Sequence, residues 1–176
     1  TMHEELISHI RAEAKAAKAG KKAQIMAKMN ALLEPTIIAE LYKASAAGVK
    51  IDLIIRGVCA LKPGVKGLSE NIRVRSIIGR FLEHHRIYYF YANGKQSLYL
   101  SSADWMDRNL FRRVEVAFPV LNPKLKSRVI QEGLLTLLKD NTSAWLMNAE
   151  GHYVQSQLRR NSKPHRGQAE LVKLLT

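Results

Sequence analysis

From residue 3 onward, Leu6, Ile7 and Ile10 recur at helical spacing among alanines, with Arg11, Lys15 and Lys18 on other positions. This pattern predicts a helix over 3–19, and Gly20 supplies its stop. The stretch from Gln24 to Asn30 is short, apolar and poor in charge, which predicts a buried strand. Glu34-Pro35-Thr36 opens a second helix whose apolar stripe is Ile37, Ile38, Leu41 and Tyr42. Pro35 is tolerated in a first turn, and Gly48 stands where a left-handed residue ends the helix. The nearly continuous apolar run from Val49 to Ile55 then predicts another strand. Strand, helix and strand in such close succession predict a parallel crossover unit.

That strand empties into Arg56-Gly57 and a loop containing Pro63, Gly64 and Gly67. Ligands of open α/β sheets gather beyond the carboxyl ends of parallel strands, so Arg56 is in a binding position. A strand is predicted over 72–78, followed by Gly79-Arg80-Phe81-Leu82-Glu83-His84-His85-Arg86 and the aromatic run Tyr88 to Tyr91. Asn93-Gly94 separates that run from Gln96 to Ser101, the signature of a hairpin with a type I′ turn. Residues 102–109 read as a polar turn, 114–120 as a strand, 125–138 as an amphipathic helix, and the basic tail as a loop and a last helix around Leu171, Val172 and Leu174. The expected fold class is α/β, a mixed β-sheet flanked by helices. The expected division is an N-terminal helix, 1–22, left from a preceding domain or linker, ahead of a single domain at 23–176.

Composition narrows the function. No run of eighteen apolar residues occurs, which excludes a membrane-spanning helix, and no basic start with an apolar core marks a secretory signal. One thiol, Cys59, suits a reducing cytoplasm. Thr1-Met2 reads as a leftover of cloning. The informative quantity is the net charge of +13, from 28 Lys and Arg against 15 Asp and Glu. It calls for an anionic partner: nucleic acid, anionic lipid, a nucleotide or an inorganic polyanion.

If the strand runs through His84, its imidazole and the Arg86 guanidinium share one face, with His85 opposite. The hairpin returns Ser101, Ser102 and Asp104 toward His84. A histidine, fixed cations, hydroxyls and a carboxylate together are phosphoryl-transfer equipment, since imidazole acts near neutral pH and guanidinium grips phosphate oxygens in pairs. His-x-Arg with a later Ser-x-Asp resembles the half-motif of the phospholipase D superfamily, with Arg86 where that superfamily has lysine and with one copy of the motif instead of two. A phospholipase D-like nuclease or phosphodiesterase completed by dimerisation is therefore one alternative. A non-enzymatic basic module for nucleic acid or an acidic membrane surface is another, carried by Lys15, Lys18, Lys21 and Lys22 and by Arg159, Arg160, Lys163 and Arg166.

A closer resemblance lies in Lys28-Met29-Asn30, Ile54-Ile55-Arg56-Gly57-Val58-Cys59, Gly79-Arg80-Phe81-Leu82-Glu83-His84 and the long block Tyr99 to Asn109. In order and interval these segments resemble type-1 polyphosphate kinases, with the Ser101-Ser102-Ala103-Asp104-Trp105-Met106-Asp107-Arg108-Asn109 block the most specific. The resemblance implies a phospholipase D-like C-terminal domain of an oligomeric, four-domain cytoplasmic enzyme, peripheral to the inner membrane in one reading. That enzyme reversibly transfers the terminal phosphate of ATP to inorganic polyphosphate, using Mg²⁺ and a phosphohistidine. By position it implies that Arg56 binds nucleotide phosphate and that His84 binds nucleotide and assists transfer. Arg86, Ser102 and Asp104 are added as phosphate contacts from the hairpin geometry. The phosphorylated histidine of the family belongs to the preceding domain, and neither His3 nor His9 has a comparable context. The chain is therefore expected to be inactive alone, to hold no Mg²⁺ ligands, and to have ATP/ADP and polyphosphate, but no specific nucleic acid, as partners.

Overall fold

The computed structural model describes residues 1–158 and 160–176, so Arg159 of the basic tail lies outside the described residues. Eight strands form one sheet in the order β6-β5-β4-β1-β2-β3-β7-β8. Its centre is parallel: β1 (Ala23–Met29), β2 (Lys50–Ile55) and β3 (Ile72–Ile77) run the same way. The predicted crossover is present, with α2 (Pro35–Ala46) joining β1 to β2. The hairpin of β4 (Arg86–Ala92) and β5 (Lys95–Ser101) joins antiparallel to β1, turning at Asn93 and Gly94, both with positive φ as a type I′ turn requires. The mixed sheet with flanking helices expected from the sequence is thus the architecture observed.

Alternation along the strands divides the core in two. Ile25, Ala27 and Met29 of β1, Leu53 and Ile55 of β2, and Tyr88 and Phe90 of β4 face α1 (Met2–Lys18) and α2. Met26, Ile54, Ile87 and Tyr89 face the other way, against Leu134 and Leu137. Those leucines belong to a helical run made of α4 (Pro123–Ile130), a π-helical turn at Gln131–Leu135 and α5 (Thr136–Leu138). Gly133 in the π turn lies over Ile87, where a Cβ would run into the isoleucine side chain, so the helix approaches β4 closely. Leu6, Ile7 and Ile10 of α1 are buried in the first core, so this helix packs against the sheet.

Three local readings differ from the sequence pattern. The ladder of β4 begins at Arg86, so His84 and His85 precede the strand and do not alternate across it. The polar turn ends in a short helix, α3 (Asp107–Arg112), and β6 is confined to Ala117–Pro119. Pro119 fits that position because β6 is an edge strand and Pro lacks a backbone donor. Beyond Asp140, β7 (Ala144–Met147) and β8 (Tyr153–Gln155) extend the opposite edge, where too few alternating residues occur for the sequence to show strands. The last helix, α6 (Gly167–Leu175), lies where predicted.

Candidate phosphate-binding site

The carboxyl ends of β1 and β2 carry Asn30 and Arg56, and backbone bonds knit their loops together. Leu32 N donates to Val58 O at 3.0 Å, Ala60 N to Leu32 O at 2.9 Å, and Leu33 N to Trp105 O at 2.8 Å. Gly57 N donates to Asn30 O at 2.8 Å, a spacing with no room for a Cβ at residue 57. Because β4 runs antiparallel to β1, the segment entering β4 lies beside the same ends. Three sequence-distant loops and His84 are thereby brought to one rim of the sheet.

There Arg56 Nη2 lies 3.4 Å from His84 Nδ1. A guanidinium can only donate, so Nδ1 is the acceptor and the neutral ring carries its proton on Nε2, turned away from Arg56. Arg56 Nη1 is buried and has no hydrogen-bond partner among the described residues. A buried charged donor left in this way is costly unless an acceptor reaches it. His84 is exposed at this rim, so its Nε2 is the donor the pair presents to solvent, with the Arg56 guanidinium charge directly behind it.

Arg86 stands behind His84. Its Nη1 donates to His84 O at 3.0 Å, while Nη2 and Nε reach the two Asp104 oxygens at 3.0 and 3.2 Å. Asp104 also accepts from Asn30 N at 2.6 Å and Asn30 Nδ2 at 3.1 Å. Desolvation would raise the pKa of this nearly buried carboxyl, but the Arg86 and Asn30 donors outweigh it and hold the group below the usual range. Arg86 and Asp104 therefore form a brace under the His84 backbone. Ser102 is turned from His84: it bonds Glu115, which also bonds Asn109, and Val116 N. Of the five residues singled out in the sequence, the structure brings Arg56 and His84 side by side, places Arg86 and Asp104 directly behind them, and leaves Ser102 apart. His3 bonds Glu34, and His9 bonds Tyr99 and stacks on Phe90.

Sequence reasoning missed two supports. Lys28, 5% exposed, pairs with Glu83 at 3.0 Å; burial lowers its pKa, with the Glu83 charge opposing. Beside it, desolvation and the Lys28 charge push His85 down to about 4, so this imidazole stays neutral at pH 7. Gln168 of α6 donates to Glu83 Oε1 at 2.9 Å and Phe81 O at 2.8 Å and accepts from Phe81 N at 3.0 Å. A Cβ on Gly79 would run into the Gln168 amide, which explains the glycine. Gln168 is 85 and 87 positions from its partners Glu83 and Phe81 along the chain, and no local pattern announces such a contact.

Fold and site together define a mixed-sheet α/β domain whose Arg56–His84 pair lies at the carboxyl ends of its parallel strands, where such sheets gather ligands. The family model described as polyphosphate kinase C-terminal domain 2 matches residues 1–168. The chain belongs to that family. It is 69% identical over 163 residues to a polyphosphate kinase of Paraburkholderia phytofirmans, covering 93% of this chain and 24% of the relative. It is 72% identical over 153 residues to one of Burkholderia ambifaria, covering 87% and 22%. The crystal structure of polyphosphate kinase from Porphyromonas gingivalis superposes with a TM-score of 0.94 at 40% identity, over 99% of this chain and 26% of that one. The chain thus spans about a quarter of the length of these relatives.

Proposed function

We propose that this chain supplies part of the nucleotide and phosphate site of a polyphosphate kinase, which moves the terminal phosphate of ATP reversibly onto inorganic polyphosphate. The observation that carries this reading is the Arg56–His84 pair, 3.4 Å apart on the strand ends. Arg56 would neutralise and orient phosphate oxygens; His84 would donate from Nε2 to an oxygen on which charge builds as the phosphoryl group moves. The phosphohistidine intermediate belongs, in this reading, to the preceding part of the polypeptide.

Mg²⁺ is implied for the reaction, but the carboxylates beside the site do not fit it: Asp104 is taken by Arg86 and Asn30, and Glu83 by Lys28 and Gln168. Among the described residues no cluster of three or more His, Cys, Asp or Glu is placed to hold a metal ion, and no helix is long and apolar enough to cross a membrane. The full polypeptide would act on ATP and polyphosphate in the cytoplasm as a homo-oligomer. Polyphosphate synthesis from ATP by the intact kinase, compared with its Arg56→Ala and His84→Ala variants, tests the reading.

A further inference from the structure

The first residues of this chain lie at one edge of the sheet. β6 pairs with β5 alone and so forms that edge. Met2 Sδ lies 4.0 Å from Ser101 Oγ at the end of β5, and Met2 lines one cavity with Val116 and Ala117. The His3 ring packs against Phe111 of α3, with centroids 4.8 Å apart. Along the same edge, from α3 through β6, Phe111, Val114, Val116, Phe118 and Leu121 are each more than half exposed, and Val114 wholly so. Single exposed apolar residues are ordinary, but a run of them along one edge marks a surface that a partner covers. Sheet edges left to solvent are usually blunted with charge instead.

The apolar stripe is held in place. Glu115, between Val114 and Val116, bonds Ser102 and Asn109, and Val116 N donates to Ser102 Oγ at 3.0 Å. A surface already ordered loses little conformational freedom on being covered. Pro119 brings no backbone donor to this edge, so apolar side chains and not an added strand would carry the contact. The chain spans about a quarter of the length of the kinases it matches, and the family model it matches is a C-terminal one, so most of their length lies upstream of the matched stretch. We infer that the edge formed by Phe111, Val114, Val116 and Phe118 is the seat of the kinase polypeptide upstream of Thr1, an interface within one subunit. A segment tethered at Thr1 meets this edge at high effective concentration, which favours it over a second copy arriving from solution. The inference rests on the reading of this chain as part of a longer kinase and is independent of the Arg56–His84 pair.

Replacing Val114 of the intact kinase with the photocrosslinker p-benzoylphenylalanine tests this. Irradiation should join position 114 to a residue upstream of Thr1, in a product that migrates as one subunit under denaturing conditions. Val114 is wholly exposed in this chain, so its substitution leaves the chain's own packing intact. Hydrogen exchange at residues 111–118 of the intact kinase should therefore be faster in Val114→Asp than in the parent by about tenfold or more, the worth of one buried valine side chain, while Val114→Ile keeps the parent's rates. A cross-linked product of two subunits' mass would overturn the inference by assigning the edge to a second copy. A link confined to residues 1–176, or exchange as fast in the parent as in Val114→Asp, would overturn it by leaving the edge to solvent. Neither readout uses turnover, so these failures leave the Arg56–His84 reading as it stands.

Discussion

Gln168 and Phe81 bond each other reciprocally: Phe81 N donates to the Gln168 carbonyl oxygen at 3.0 Å, and the Gln168 amide nitrogen donates to Phe81 O at 2.8 Å. The same nitrogen reaches Glu83, so one side chain of the last helix secures the segment that delivers His84 to the sheet rim. Gln168→Ala removes three bonds that are almost buried and should cost about 1–3 kcal/mol of stability. Hydrogen exchange should accelerate at residues 79–85 and not at β1 or β2. In the intact kinase the variant should lose turnover, and Gln168→Glu should not restore it, because a carboxylate cannot donate to Phe81 O and would repel Glu83.

The Arg86–Asp104 brace gives a second expectation. Side chains of both are nearly buried, 12% and 9% exposed, and each is bonded at several atoms. Removing one partner of such a pair leaves the other charge uncompensated. Asp104→Ala should therefore lower stability by about 3–5 kcal/mol, read by chemical denaturation. Ser102→Ala, on the exposed side of the hairpin end, should cost under about 1 kcal/mol if its bonds to Glu115 and Val116 are worth what surface bonds usually are.

Glu13 sets a pH dependence away from the site. It is 1% exposed, accepts from Gln24 N at 3.0 Å, and desolvation raises its pKa to about 7. The folded chain thus holds this proton more tightly than the unfolded chain, so stability falls as pH rises from about 4.5 to about 7 and stays reduced above. Glu13→Gln keeps the acceptor without the charge. It should raise stability at pH 8 by about 3 kcal/mol or less and change little at pH 4, which thermal melts at the two pH values check.

Much of this architecture is legible along the chain because its signals are local. The apolar run before Arg56, Pro35 and Gly48 around α2, and Asn93-Gly94 in the hairpin each carry their own conformational preference. Their consequence, Arg56 at the end of a parallel strand, is legible with them. The neighbourhood of His84 is less so, since the aromatic run continues the β pattern backwards past the point where pairing stops at Arg86. The roles of Arg86 and Asp104 turn on which atoms fill their hydrogen-bonding capacity, and Asn30 and the His84 carbonyl fill it from elsewhere. The short strands β7 and β8 carry too few residues to show a period, so they emerge only from the folded chain, as does Gln168 behind His84.

The central claim is that Arg56 and His84 act as one phosphate-handling pair. The most direct measurement is polyphosphate synthesis from ATP by an intact polyphosphate kinase carrying this segment, with Arg56→Ala, His84→Ala and the double substitution assayed beside the parent. Residues acting as a unit are non-additive. Each single variant should lose at least about a hundredfold in turnover, and the double variant little more than either. Full turnover in the His84→Ala enzyme, or losses that multiply in the double variant, would contradict the account.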